Sequence, residues 1–169
     1  MEINAHQPQA SSSLNNNDEI RIAGQAQDLN VPPSKSFLHI TRRLTIANGA
    51  AVAETTQVVN NVISLLMDEL RYELKGVDID RCRCVGFTSL MKGYASLTSS
   101  RAHSLGNSSW YDVQETGKQT DANSNFDINI PLKMLLGFLE DYNKIVVSAK
   151  HELILRRTIT DNNATRVKK

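Results

Sequence analysis

Hydrophobic and polar residues alternate over several short stretches of the chain, and a helical spacing is clear in only two. Between Phe37 and Ile46, Leu38, Ile40, Leu44 and Ile46 share one parity. His39, Thr41, Arg43 and Thr45 share the other, and Arg42 interrupts the apolar row. Successive side chains of a strand point to opposite faces, so this period of two predicts a half-buried strand. Asp18-Glu19-Ile20-Arg21-Ile22 and Phe126-Asp127-Ile128-Asn129-Ile130 read the same way. A longer strand is predicted from Lys144 to Thr160, with Ile145, Val147, Ala149, Leu153, Leu155 and Ile159 on one parity. His151 interrupts that apolar row and is expected to be a hydrogen-bonded core residue, whereas His39 lies on a polar parity and is expected to be solvated.

The run from Asp68 to Arg83 predicts a hairpin turning at Lys75-Gly76. A two-residue turn there opposes Leu74 with Val77, Glu73 with Asp78, Tyr72 with Ile79, Arg71 with Asp80, Leu70 with Arg81 and Asp68 with Arg83. One face then carries Leu70, Tyr72, Leu74, Val77 and Ile79 as a structural apolar row, and that row sets the register. Asp78 and Asp80 are expected to lie on a solvated sheet face. Lys75 departs from the Asn or Asp usual before Gly76, because a type I′ turn needs positive φ at both positions.

Two stretches carry helical spacing. Val85 to Leu97 predicts a short helix with Phe87, Leu90, Met91 and Tyr94 on its buried side. Pro131 is expected to open a second helix, where a missing N–H costs nothing, with Leu132, Leu135, Leu136, Leu139 and Tyr142 as its buried stripe. Thr56 to Met67 fits either a helix or a strand buried on both faces, and the hairpin after it favours strand from about Asn61 onward. Thr98 to Asn125 reads as a long polar loop anchored by Trp110-Tyr111-Asp112-Val113, an expected edge strand, with Trp110 either packing or binding.

The 169 residues suffice for one domain. With 19 Lys+Arg against 18 Asp+Glu, the net charge of +1 gives no long-range field to gather phosphate. The only basic cluster visible in sequence is Arg166, Lys168 and Lys169, so specific nucleic-acid binding is not expected. Residues 1 to 17 are rich in Gln, Ser and Asn and read as a flexible polar arm with no basic n-region or apolar core. No apolar run approaches the roughly 20 residues of a membrane helix, so no membrane partner is expected. Cys82 and Cys84, one residue apart, are poorly spaced for a disulfide and read as reduced thiols, which suits an intracellular protein of cytoplasm or nucleus rather than a secreted one.

No nucleophile elbow, phosphate-cradling glycine loop, His-Glu zinc helix or cysteine-rich metal knot is present in the sequence. His151 and Glu152 are adjacent on a strand and point to opposite faces, which spoils them as a catalytic pair. Catalytic, metal-binding and cofactor-binding residues are therefore expected to be none, and the chain is not expected to be an enzyme.

Three blocks carry a resemblance: Asn15 to Ile22, Asp68 to Arg81, and Ile130 to Tyr142 running on into Lys150-His151-Glu152-Leu153-Ile154-Leu155 and Asp161-Asn162-Asn163. In that order they resemble the double jelly-roll-like proteins of arthropod genomes, which look like major capsid proteins of Maverick (Polinton-type) elements and adintovirus-like viruses. The resemblance implies an all-β fold with short helices in the connections, a single jelly-roll β-sandwich corresponding to the first half of a double jelly roll. Pro131, Leu135, Leu139, Leu153 and Leu155 would supply helix and strand core to a domain over 18–160, followed by a tail over 161–169.

Family members carry two jelly rolls, and this chain has room for the first. It is thus expected to be a fragment, a split product, an element-derived remnant, or a chain that pairs with itself to replace the missing half. The implied function is that of a capsid-like structural protein acting by self-association, as a homo-oligomer of three or more copies or with a second jelly-roll chain, located in the virion if viral. The alternative is a domesticated binding module whose loops recognise a glycan or protein.

Overall fold

The computed structural model describes residues 4–9, 15–24, 32–45, 56–111, 120–121 and 124–167. Eight strands lie among them: β1 (Glu19–Gly24), β2 (Phe37–Arg43), β3 (Thr56–Val58), β4 (Met67–Leu74), β5 (Val77–Arg83), β6 (Asn125–Pro131), β7 (His151–Arg157) and β8 (Thr165–Val167). They form a four-stranded antiparallel sheet in the order β1-β7-β4-β5, a β2-β6 pair and a β3-β8 pair. Four short helices, α1 (Val62–Leu65), α2 (Val85–Ser96), α3 (Ser99–Ser104) and α4 (Gly137–Asp141), occupy the connections. This is the all-β architecture with helical connections that the alternating sequence predicts.

Register explains the core. Ile20 opposes Leu155 and Leu155 opposes Leu70, while Ile22, Leu153 and Tyr72 line up one row further along the same face. On the smaller pair, Leu38 opposes Ile130 and Ile40 opposes Ile128. These side chains, with Phe126 and with Val58 and Ala164 from the β3-β8 end, belong to one hydrophobic cluster. Two sheets facing each other across a shared apolar layer are a β-sandwich.

The hairpin turns where the sequence predicts, with φ of 52° at Lys75 and 78° at Gly76, the paired positive values of a type I′ turn. Lys75, in a conformation that glycine adopts more easily, is held by its N–H donating to Lys150 O at 2.9 Å. Beyond Glu73 and Asp78 the register departs from the expected one. Tyr72 opposes Asp80, Arg71 opposes Arg81, Leu70 opposes Cys82 and Glu69 opposes Arg83, which leaves Ile79 as the extra residue of a β-bulge. The bulge moves every later residue of β5 to the opposite face. Ile79 is 40% exposed at the bulge, and Val77, which keeps its expected partner Leu74, is 60% exposed at the turn end of the edge strand, so neither completes the core row.

Further expectations are corrected. The chain after Asn61 is helical over Val62–Leu65, entered through Asn61 at a φ of 59°. Its polar side is internally satisfied: Ser64 Oγ donates to Asn61 Oδ1 at 2.7 Å and Asn61 Nδ2 donates to Ser89 Oγ at 3.0 Å, all three residues being buried. Pro131 ends β6 opposite Phe37 in an extended conformation, so its stretch splits into a 3-10 turn at Leu132–Met134 and then α4. Leu132, Leu135, Leu136 and Leu139 are buried nonetheless.

The predicted strand from 144 to 160 shortens to β7, with a break at Ser148 where φ is 48°. Ile145, Val147 and Ile159 are exposed, whereas all of 151–155 are buried, His151, Leu153 and Leu155 on the core face and Glu152 and Ile154 on the opposite one. The expected C-terminal tail contains β8, which pairs with β3. Within the expected arm, Gln9 N–H donates to Arg21 O at 3.0 Å and Asn17 N–H donates to Thr158 O at 3.1 Å. Ile46, Asp112, Val113, Lys168 and Lys169, named in the sequence reading, lie outside the described residues.

Candidate functional site

Among the described residues, no three His, Cys, Asp or Glu side chains are grouped so that they could hold a metal ion. No described helix is long and apolar enough to cross a membrane. Cys82 and Cys84 are free thiols, and burial pushes the Cys82 thiol up in pKa, away from a reactive thiolate. His39 Nε2 lies 2.6 Å from Asp127 Oδ1 on an exposed sheet face, a solvated pair. The features that distinguish this molecule are instead surfaces and one buried polar contact.

That contact sits at the core end of β4 and β7. Tyr72 Oη lies 2.5 Å from His151 Nδ1, both buried. With His151 neutral the phenol donates to Nδ1, which leaves the proton of the ring on Nε2, an atom with no hydrogen-bond partner among the described residues. Burial lowers the histidine pKa and raises that of the tyrosine, so both stay neutral. Phe138 stacks on Tyr72 with centroids 5.9 Å apart, and Tyr142 stacks on Phe138 at 5.0 Å. His151 is thus the hydrogen-bonded core histidine expected from its place on an apolar row.

The opposite face of the four-stranded sheet is charged. Its centre is Glu69, only 4% exposed, with Arg81 at 2.9 Å, Arg71 at 3.2 Å, and Arg83 and Arg156 each at 3.5 Å. The hydrogen bond from Arg81 outweighs burial and holds the Glu69 carboxyl below its ordinary pKa. Two rows cross the strands beside it. Arg21, Ile154, Arg71 and Arg81 form one, and Ala23, Glu152, Glu73 and Asp78 form the next. Glu19 accepts from Arg21 and Arg71, and Glu152 pairs with Arg21 and Lys150. Asp80 points to the other face, where Oδ2 accepts from the Phe138 N–H at 2.8 Å and ties α4 to β5. It does not pair with Arg71.

A second surface belongs to α2. The stripe expected to be buried faces outward: Phe87, Met91 and Tyr94 are 63%, 74% and 63% exposed. The buried side is made of Val85, Gly86, Ser89 and Gly93. Small residues permit the approach, since a Cβ at Gly86 would lie 2.6 Å from Leu65 Cδ2 and one at Gly93 would overlap the Trp110 ring. Trp110 is therefore packing against the helix, outside any strand among the described residues.

Of the residues singled out from sequence, Leu70, Tyr72, Leu135, Leu139, Leu153 and Leu155 meet in the one core cluster, and Leu74 packs at its edge. Gly76 makes the turn and Pro131 ends β6, while Val77 and Ile79 stand apart in the exposed edge. The arginine cage was missed because its members come from β4, β5 and β7, and only tertiary register assembles them. The sole local signal is the recurrence of Arg at 71, 81 and 83 on polar positions of the hairpin.

No curated protein matches this sequence. Residues 56–169, about two thirds of the chain, match the family model of the double jelly roll-like domain. The matched span contains six of the eight strands, β1 and β2 preceding it, and the antiparallel sheets around one shared core agree with a jelly-roll β-sandwich. On the match and the fold together, the chain belongs to the double jelly roll-like domain family.

Proposed function

We propose that the protein is a capsid-like structural protein that functions by self-association. The observation that carries this reading is the outward stripe of α2, where Phe87, Met91 and Tyr94 stand in solvent on one helix face. Three large apolar side chains so exposed are costly on an isolated chain and useful where a neighbour covers them. Membership in a family of capsid-like fold supports another jelly roll as that neighbour, either a second copy or a second jelly-roll chain. A virus- or transposon-derived origin of the Maverick type, with residence in the virion or otherwise inside the cell, belongs to the same proposal.

Light scattering behind size-exclusion chromatography, over a wide concentration range on the intact 169-residue chain, tests it. The expected result is a defined oligomer of three or more copies that dissociates on dilution. Met91→Asp should weaken that oligomer while leaving the far-UV circular dichroism unchanged. A monomer at every concentration overturns the reading.

A further inference from the structure

The charges of the two rows on the outer face of the four-stranded sheet are each of one sign and lie side by side; Glu152 and Ile154 on β7 are buried, and the rows are exposed at Asp78 and Arg81 on the edge strand β5. Arg71 directly opposes Arg81 in one, and Glu73 directly opposes Asp78 and Glu152 in the other. Like charges directly opposed across strands destabilise a sheet. The positive row has partners within the chain, in Glu19 and Glu69, and Glu152 has Lys150 and Arg21. No ion pair of Glu73 or Asp78 occurs among the described residues, and Glu73 feels the charge of Arg21 only at longer range.

We propose that this face docks on the same face of a second copy of the chain, about a two-fold axis parallel to the rows and lying between them. A two-fold contact is self-complementary, so every pairing occurs twice. This axis keeps each strand over its own counterpart and exchanges the rows. Arg81 then faces Asp78 of the second copy, and Arg71 faces Glu73 of the second copy, with the reciprocal pairs identical. The carboxylates that form no ion pair among the described residues of one chain meet the guanidiniums of the other.

Four strands at a spacing of about 4.8 Å and five residues at about 3.4 Å give a footprint of at most roughly 300 Å², since Glu152 and Ile154 on β7 are already buried. That is well below the roughly 800 Å² per partner of a stable interface, so the contact is weak, polar and screened by salt. It deepens the self-association reading, on which it rests, by adding a two-fold contact on a different element from the apolar stripe of α2. Weak contacts of this kind hold strongly only when an assembly repeats them.

Sedimentation velocity on the intact chain tests the proposal, at about 0.05 M and about 0.5 M salt. D78R places an arginine opposite Arg81 of the second copy, and R81D places an aspartate opposite its Asp78. Each variant alone should raise the Kd of the contact by about tenfold or more, because two symmetric pairs become repulsive. A mixture of the two should regain the wild-type affinity, since every facing pair is again of opposite sign. High salt should weaken the wild-type contact.

D78R alters a residue with no ion pair to lose, so its effect and the salt dependence remain decisive even were R81D to unfold by depriving Glu69. If the wild type associates and neither the variants nor salt change it, the charged face is not the contact and the self-association reading stands. If the wild type stays monomeric throughout, both fail.

Discussion

The ring of Trp110 lies so close over Gly93 of α2 that a Cβ at the glycine would overlap three ring carbons. This contact fixes which side of the helix is buried. A methyl group there has no room, and overpacking of a close-packed site costs about 1–3 kcal/mol. Gly93→Ala should therefore lower the unfolding free energy from a urea melt by that amount and shift the emission of the single tryptophan. Met91→Ser, on the outward side, should stay within about 0.5 kcal/mol of wild type. A helix packed by its Phe87-Met91-Tyr94 stripe would give the reverse order.

The bulge at Ile79 makes an equally specific prediction for the hairpin. Ile79 is 40% exposed on the edge strand, so Ile79→Asp should cost less than about 1 kcal/mol. Asp80 carries the hydrogen bond that receives the Phe138 N–H, and Asp80→Ala leaves that donor in a half-buried site, at a cost of about 1–1.5 kcal/mol. From the unbulged register the order of the two is opposite. Paired urea melts decide between them.

Much of this was legible in the chain because strand periodicity and turn chemistry are local. Alternation located β2 and β6, and Lys75-Gly76 between two apolar runs located the turn. The bulge was not legible, since one inserted residue changes the register without changing the pattern of residue types. The orientation of α2 failed for a different reason. Its hydrophobic stripe is what an amphipathic helix presents to a core, but Gly86, Ser89 and Gly93 allow a closer approach on the opposite side. Close approach through small residues leaves no hydrophobic signal. Likewise, Glu69 occupies a polar position of β4 and becomes buried only because arginine stems from three strands lie over it.

His151 predicts a pH dependence with a definite sign. Burial depresses its pKa below the usual 6.5, so the unfolded chain binds more protons than the folded one as the pH falls past 6.5. Stability is therefore complete above that value and declines as the pH drops toward the folded-state pKa. Glu69 and Glu152 are also depressed, but from the usual 4.5, so their loss of stability begins at lower pH. Chemical melts between these two values should show a decline that His151→Gln abolishes. A slope unchanged in the variant would mean that His151 is not the titrating group.

Glu69 and Glu73 are two residues of one type, four apart on the same strand and the same face, and the sheet treats them oppositely. Glu69 stands among four guanidiniums and is nearly inaccessible, whereas Glu73 opposes Asp78 on one side and Glu152 on the other. Glu69→Gln keeps the shape but removes the charge that the arginines share. Charge-assisted hydrogen bonds contribute about 1.5–3 kcal/mol, and the exposure of Arg81, Arg83 and Arg156 puts the expected loss near the lower end. Glu73→Gln relieves like-charge opposition and should stabilise the monomer by a few tenths of a kcal/mol. Measured at low salt, where screening is least, the two substitutions should differ in sign, and adding salt should shrink the gain at Glu73 more than the loss at the buried Glu69. Equal destabilisation by both would show that the like-charged row is neutralised within a single chain.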